Sequence, residues 1–302
     1  MSTNARSEQD RWSRWLLERR DGGNAEQRAR SLDYLSGIRD RVLNAAEPLE
    51  GATLLDVGAG DGLIGLAALE RVGPSGQVIF SDVSEPLLEH CRELIAAQGE
   101  LGQARFVTAA AEDLAAIPDG SVDVLTTRSV LIYVLDKAMA FRSFARVLRP
   151  GGRISLFEPI NGLMYPEEED RFWGYRVPAV SDLAAKVRAE FVGEDPTSRE
   201  AMMGFDDRDL ARLARAAGFE TVHVECHLDI TPGSWAHPVD LEALLEISPN
   251  PNAPTIREAI AATLSDAERR RFLAELGRAV AEDDAVRRMA AAYVLATKPQ
   301  LD

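Results

Sequence analysis

Cysteine is almost missing from this chain, with Cys91 and Cys226 the two representatives among 302 residues. Two thiols without C-x-x-C spacing exclude a disulfide framework, and in a reducing compartment they read as small, partly buried side chains. Basic residues are in deficit as well: 34 Lys and Arg stand against 49 Asp and Glu, a net charge of −15. Nucleic-acid binding rests largely on Lys and Arg contacts to phosphate, so this balance speaks against DNA or RNA as a partner. It speaks equally against docking on anionic lipid. No apolar run approaches the roughly 20 residues of a membrane span. The opening MSTNARSEQDRWSRW also lacks the apolar core of a signal peptide. These absences lead to the expectation of a cytoplasmic protein with neither a membrane nor a nucleic-acid partner. The 46% apolar and 27% charged content is ordinary for a globular chain able to bury a sizeable core.

What is present has a rhythm. Residues 11–47 carry Trp12, Trp15, Leu16, Leu32, Leu35, Ile38 and Val42 at helical spacings, broken by Asp21-Gly22-Gly23-Asn24 into two helices. Short apolar runs then alternate with amphipathic stretches. ATLLDV (52–57) precedes a helix over 62–72, and QVIFSD (77–82) precedes one over 85–98. ARFVTA (104–109), VDVLTT (122–127) and RISLFE (153–158) continue the series. Such alternation predicts a parallel sheet covered on both faces.

After residue 159 the rhythm changes. Residues 160–200 read as an insertion, with a helix over 181–191 and the acidic run Glu167–Asp170 as a solvated helix start. Its aromatic group, Tyr165, Phe172, Trp173 and Tyr175, either packs a lid or lines an acceptor pocket. A helix over 207–217 ends at Gly218, and strands follow over 220–230 and 289–298, with some 55 largely helical residues between them. His223, Glu225 and His227 share one face of the first of these strands, which fits a solvated edge better than a metal site with Cys226.

LLDVGAGDGLIGL (54–66) is the most informative stretch. Glycines at a strand-to-helix turn let backbone approach a ligand, and the helix N-terminus offers unpaired N–H groups. Gly60-x-Gly62-x-x-Gly65 alone fits a dinucleotide binder or a methyltransferase. Asp56 separates them, because a carboxylate is a poor neighbour for a diphosphate and a favourable one for a sulfonium and an ammonium. The blander alternative is that Asp56 caps the helix or binds loop N–H groups.

With these residues in view, the chain resembles the class I S-adenosylmethionine-dependent methyltransferases, from about residue 50 to 160 and again through its last strands. Asp56–Gly62 matches that family's D-x-G-x-G-x-G motif. The resemblance implies a Rossmann-like α/β fold: a seven-stranded, mostly parallel sheet with helices on both faces. To it are added N-terminal helices and helical insertions after strand 5 and between the last two strands. It implies one methyltransferase domain over 1–302, made of a helical cap (1–50), a cofactor-binding core (51–160), and insertions over 160–200 and 231–286 forming a lid. S-adenosyl-L-methionine is the implied cofactor. Its ribose falls to Asp82, its adenine to Val83 and to AAAEDL (109–114), and its methionine moiety to the backbone near Arg128. Ala110 stands where the family often has an aspartate, which leaves the adenine edge to Ala111 or Glu112. The implied cofactor set is therefore Asp56, Gly58, Gly60, Gly62, Asp82, Val83, Ala111, Glu112 and Arg128.

Methyl transfer from a sulfonium is an in-line displacement whose leaving thioether needs no proton, so the protein contributes mainly alignment and exclusion of water. A base matters only when the acceptor carries a proton at attack. Acceptors bind beyond the carboxyl ends of the strands, where Glu158, Tyr133 and Arg128 are the catalytic candidates, with His237 a distant further one. Thr127-Arg128-Ser129-Val130 occupies the place of the N/D-P-P-[YF] motif of base methyltransferases. That directs the expectation to a small-molecule acceptor, ahead of a protein substrate or a non-catalytic binding module. The N-terminal helices could exchange between subunits, which leaves a homo-oligomer open.

Overall fold

Strands form here where β-branched and aliphatic runs are bounded by glycine or proline, and helices where apolar residues recur on one face. The computed structural model describes residues 11–21, 25–99, 101–192, 196–233 and 240–300. The chain opens with α1 (11–19), π-wound over Trp15–Arg19, and α2 (Ala25–Ala45). The core runs β1 (Thr53–Val57), α3 (Leu63–Val72), β2 (Gln77–Asp82), α4 (Glu85–Gln98), β3 (Ala104–Thr108), β4 (Val122–Arg128), α5 (Lys137–Val147) and β5 (Leu148–Pro159). The expected bounds of α4 are met to the residue. Ser84 caps that helix through the Leu87 N–H, with Pro86 in its first turn and Gly99 at φ 80° closing it.

The seven-stranded sheet has the order β3-β2-β1-β4-β5-β9-β8. Pairings are parallel from β3 through β5, while β9 (Val286–Thr297) runs antiparallel to both β5 and β8 (Thr221–Pro232). This is the Rossmann-like α/β arrangement expected. Strand order reverses between β1 and β4, so the crevice at their carboxyl ends is the topological switch point. One core packs Leu55, Leu125, Phe141, Phe144 and Leu156 on one face of the sheet. A second packs Leu54, Phe80 and Ile64 under Val42 and Leu43 of α2 on the other.

The insertions are more structured than the sequence suggested. After β5 come α6 (Asn161–Met164), a hairpin of β6 (Arg171–Phe172) and β7 (Tyr175–Arg176), α7 (Ser181–Val192) and α8 (Pro196–Met203). α9 (Asp207–Ala216) then leads to β8, and α10 (Leu241–Leu245), α11 (Ile256–Thr263) and α12 (Asp266–Ala281) precede β9. The acidic run starts no helix. Instead the Glu167 carboxylate accepts the Trp173 and Gly174 N–H groups at 2.9 and 2.8 Å, fixing the hairpin turn. The hairpin aromatics are packing residues: Phe172 and Tyr175 are buried with Phe272, Leu276 and Val187 in a core shared by the two insertions. Among the described residues no helix is long and apolar enough to cross a membrane.

Candidate active site

Beyond β1 the chain turns through Gly58, Gly60 and Gly62 at φ 66°, 57° and 84°, a region that costs other residues roughly 1–2 kcal/mol each. Space excludes a side chain too. A Cβ on Gly58 would lie 2.3 Å from Val130 Cγ2, on the segment that follows β4. The loops on either side of the switch point therefore touch where glycine alone fits.

Both Asp56 oxygens are engaged by protein. Oδ2 accepts the Gly65 N–H at 3.0 Å and Oδ1 the Thr126 hydroxyl at 2.8 Å. Asp56 thus satisfies an orphan N–H in the first turn of α3, and it shapes the loop from beneath instead of presenting a free carboxylate to a ligand. Asp82 stands at the tip of β2, its Oδ2 accepting the Gly60 N–H and its Oδ1 the Ser84 N–H, each at 2.9 Å. Burial raises its carboxyl, against the pull of the Ser84, Gly60 and Val83 N–H groups. Val83 is half-buried beside it, and the Ala109 N–H bonds the Asp82 carbonyl at 3.0 Å. This carries the 109–113 turn, with buried Ala111 and half-buried Glu112, to the same strand ends.

Glu158 is fully buried. Its Oε1 takes the Thr127 hydroxyl at 2.9 Å and the Val130 N–H at 3.1 Å, and its Oε2 takes the Ile132 N–H at 3.3 Å. In this arrangement the carboxylate staples the turn after β4. That turn includes Ser129 at φ 57°, an uncommon conformation for a residue with a side chain. Tyr133 lies at the end of the turn. Burial raises its phenol, opposed by Arg128 and reinforced by Glu158. The Trp12 ring meets it edge-on, with centroids 4.8 Å apart.

Arg128 is half-buried. Burial lowers its pKa, while Asp61 and Asp56 draw it up and Arg20 pushes it down. Arg20, at the end of α1, reaches Asp61 Oδ2 at 3.2 Å. Leu16 of α1 lies against Gly60, 3.0 Å from where a Cβ would stand, and the Trp15 indole N–H donates to the Ser248 carbonyl at 2.9 Å. The N-terminal helix is therefore laid over the glycine loop and pinned to the late insertion. A cavity of about 510 Å³ lined by residues of α1, α2, α3 and α4 takes in Arg20 and Asp61.

Sequence reasoning missed Arg20, Asp61, Thr126 and Thr127. Two hydroxyls inside the apolar run VDVLTT were the available signal, since buried hydroxyls need acceptors. His237 lies outside the described residues. Glu225 and His227 face Arg41, whose Nη2 is 2.6 Å from the Glu225 carboxylate and 3.1 Å from His227 Nε2. Cys226 is on the opposite face of β8 by strand alternation.

The two buried carboxyls make a pH prediction. Burial raises Asp56 from 3.8 and Glu158 from 4.5, each to about 7, against their hydrogen-bond donors. Both bind a proton more tightly folded than unfolded, so their contribution is fully present below the unfolded values. It is lost as pH rises through about 7. Urea midpoints are expected to fall between about pH 5 and 7 and then level off. Glu158→Gln is expected to remove about half of that slope.

The model of the ubiE/COQ5 methyltransferase family matches residues 30–236. The chain belongs to this family. It is 31% identical over 206 residues to the nocamycin O-methyltransferase of Saccharothrix syringae, covering 67% of this chain and 71% of that protein. It is 32% identical over 179 residues to the ubiquinone/menaquinone biosynthesis C-methyltransferase UbiE of Serratia proteamaculans, covering 57% and 68%. A solved phosphoethanolamine N-methyltransferase 2 of Haemonchus contortus, in complex with S-adenosyl-L-methionine, shares the fold with TM-score 0.52. It is 18% identical, over 96% of this chain and 56% of that one.

As a ubiE/COQ5 methyltransferase the protein uses S-adenosylmethionine as its methyl donor. The residues fit such a ligand. Asp61 Oδ1 and Arg20 Nη1 are buried without a hydrogen-bond partner among the described residues, while Arg20 Nε faces Asp21 Oδ2 at 3.6 Å. A ligand end carrying both an ammonium and a carboxylate would supply what these atoms lack.

Proposed function

We propose that this enzyme methylates a small, partly apolar enol or phenol in a pocket closed by its own N-terminal helix. The observation that carries the reading is the helix α1 laid across the switch point, with Trp12 on Tyr133, Leu16 on Gly60 and Arg20 on Asp61. An enol or phenol anion offers both an oxygen and a carbon nucleophile, the chemistry common to the O- and C-methylating relatives. S-adenosylmethionine supplies an electrophilic methyl group and a thioether that leaves without protonation.

This chain's residues then bind and exclude water. Asp82 holds the ribose hydroxyls, while Val83, Ala111 and Glu112 border the adenine. Asp61 takes the α-ammonium, and Arg20 and Arg128 take the α-carboxylate. Tyr133 and Trp12 bound the acceptor on its outer side, where a lid strengthens every charge interaction inside. Glu158 moves no proton, since its oxygens are committed to the turn after β4. The acceptor's own acidity therefore sets its reactivity. The cap, core and insertions act as one catalytic unit, and the protein acts without nucleic acid or membrane, in the cytoplasm.

Methyl-labelled S-adenosylmethionine offered with phenols of graded acidity tests this. Label should pass to the phenol, and kcat should rise with pH along each phenol's own titration. No transfer to any enol or phenol, or a pH profile identical for all of them, would sink the proposal. Trp12→Ala is expected to lower kcat/KM about tenfold, as one aromatic contact of roughly 1 kcal/mol and part of the water barrier are lost. Unchanged steady-state kinetics in that variant would count against α1 as the lid.

A further inference from the structure

β8 is the outermost strand of the sheet, and among the described residues nothing pairs with its outer edge. Natural edge strands are blunted by bulges, lysines or prolines. β8 runs twelve residues in unbroken register with β9, without lysine, and its one proline, Pro232, is its last residue. Its even positions, Val222, Val224, Cys226, Leu228 and Ile230, are apolar. Exposure grows along them until Leu228 is 49% and Ile230 55% accessible.

The hydrogen-bond parity of this edge follows from two separate contacts. The Gly233 N–H bonds the Ala285 carbonyl at 2.9 Å, and the Ile160 N–H bonds the Ala290 carbonyl at 2.9 Å. The first continues the β8–β9 register and gives the odd residues of β8 to β9. The second continues the β5–β9 register and gives the even residues of β9 to β5, which leaves its odd ones for β8. Both assign the odd residues of β8 to the existing ladder. The N–H and C=O groups of Val222, Val224, Cys226, Leu228 and Ile230 therefore point out of the sheet.

We propose that this edge pairs antiparallel with β8 of a second copy about a two-fold axis at Cys226, joining two sheets into one. That register alone of its immediate neighbours matches outward-facing groups on both strands, because a shift of the pairing by one residue sets an outward group against an inward one. It also sorts the side chains. Val222 meets Ile230 of the second copy, Val224 meets Leu228, and Cys226 meets Cys226, all on one face. On the other face His223 meets Asp229 and Glu225 meets His227. The polar pairs are each of complementary character, and the symmetry repeats every one of them, as an isologous interface requires.

Sedimentation of the full chain at physiological ionic strength, where screening over about 8 Å limits repulsion between like-charged copies, should give a dimer. Diamide should then take two electrons and two protons from the facing Cys226 thiols. The opposed Cα atoms of such a pair lie about 5.5 Å apart, within disulfide reach. The product is a covalent dimer on a non-reducing gel, absent in Cys226→Ser; Cys91 is buried and does not compete. Leu228→Pro removes an outward N–H that the monomer does not use, and should weaken dimerisation roughly ten- to a hundredfold. His223→Asp sets two aspartates together on each side of the axis and should also weaken it, and the exchange His223→Asp with Asp229→His should restore it. A monomer at every concentration overturns the proposal. So does a dimer that yields no Cys226 disulfide or ignores both the exposed-charge variants and Leu228→Pro.

Discussion

Asp82→Ala is expected to weaken binding of S-adenosylhomocysteine roughly a hundredfold, read by calorimetry below the unfolding temperature of the variant. Two charge-assisted hydrogen bonds to ribose hydroxyls, at about 1.5 kcal/mol or more each, account for that factor. The same carboxylate already accepts the Gly60 and Ser84 N–H groups, so the loop is held in shape before the ligand arrives. Alanine loses both functions. An amide in the same place keeps one carbonyl acceptor, and Asp82→Asn should therefore fall between the wild type and Asp82→Ala. A drop in thermal stability without a drop in affinity would mean that Asp82 serves the loop alone and that the ribose lies elsewhere.

Much of the architecture was legible because its causes are local. Strand and helix periods, the Ser84 and Pro86 start of α4 and the Gly99 stop lie within a few residues of what they control. The D-x-G-x-G-x-G run announced the loop for a similar reason: its positive φ angles demand glycine wherever the fold places it. Carboxylate direction is not local. Asp56 and Glu158 were correctly placed at strand ends, but their partners are Thr126, Gly65, Thr127, Val130 and Ile132, contributed by neighbouring strands and turns. A free carboxylate in a cleft and one sewn into the protein look alike in one dimension. The contact between α1 and the loop shares this character. Arg20 and Asp61 are 41 positions apart, and no spacing rule joins them. Phe172 and Tyr175 of the first insertion resolved as packing because their partners, Phe272 and Leu276, come from the second insertion, while Tyr165 stays exposed.

Glu158→Ala carries the largest expected cost to the folded state. The wild-type carboxyl collects donors from three residues in a site without solvent, and truncation leaves the Val130 and Ile132 N–H groups buried without acceptors. Each orphaned donor costs about 1–3 kcal/mol, and the cavity adds to this. A loss of roughly 3–5 kcal/mol is expected from the urea midpoint and slope. Activity should fall further than stability predicts. The freed turn contains Ser129 in its left-handed conformation, carries Val130 against Gly58 and leads to Tyr133 beneath Trp12. Relaxing it disturbs both sides of the switch point. Glu158→Gln separates the structural staple from a proton carrier. The amide keeps the shape and one acceptor oxygen, so it should recover most of the stability and a measurable share of kcat. A proton carrier would lose kcat in both variants alike, while KM and the unfolding midpoint of Glu158→Gln stayed near the wild type. That pattern would return Glu158 to the role of base, and would require its carboxyl to leave the turn during turnover.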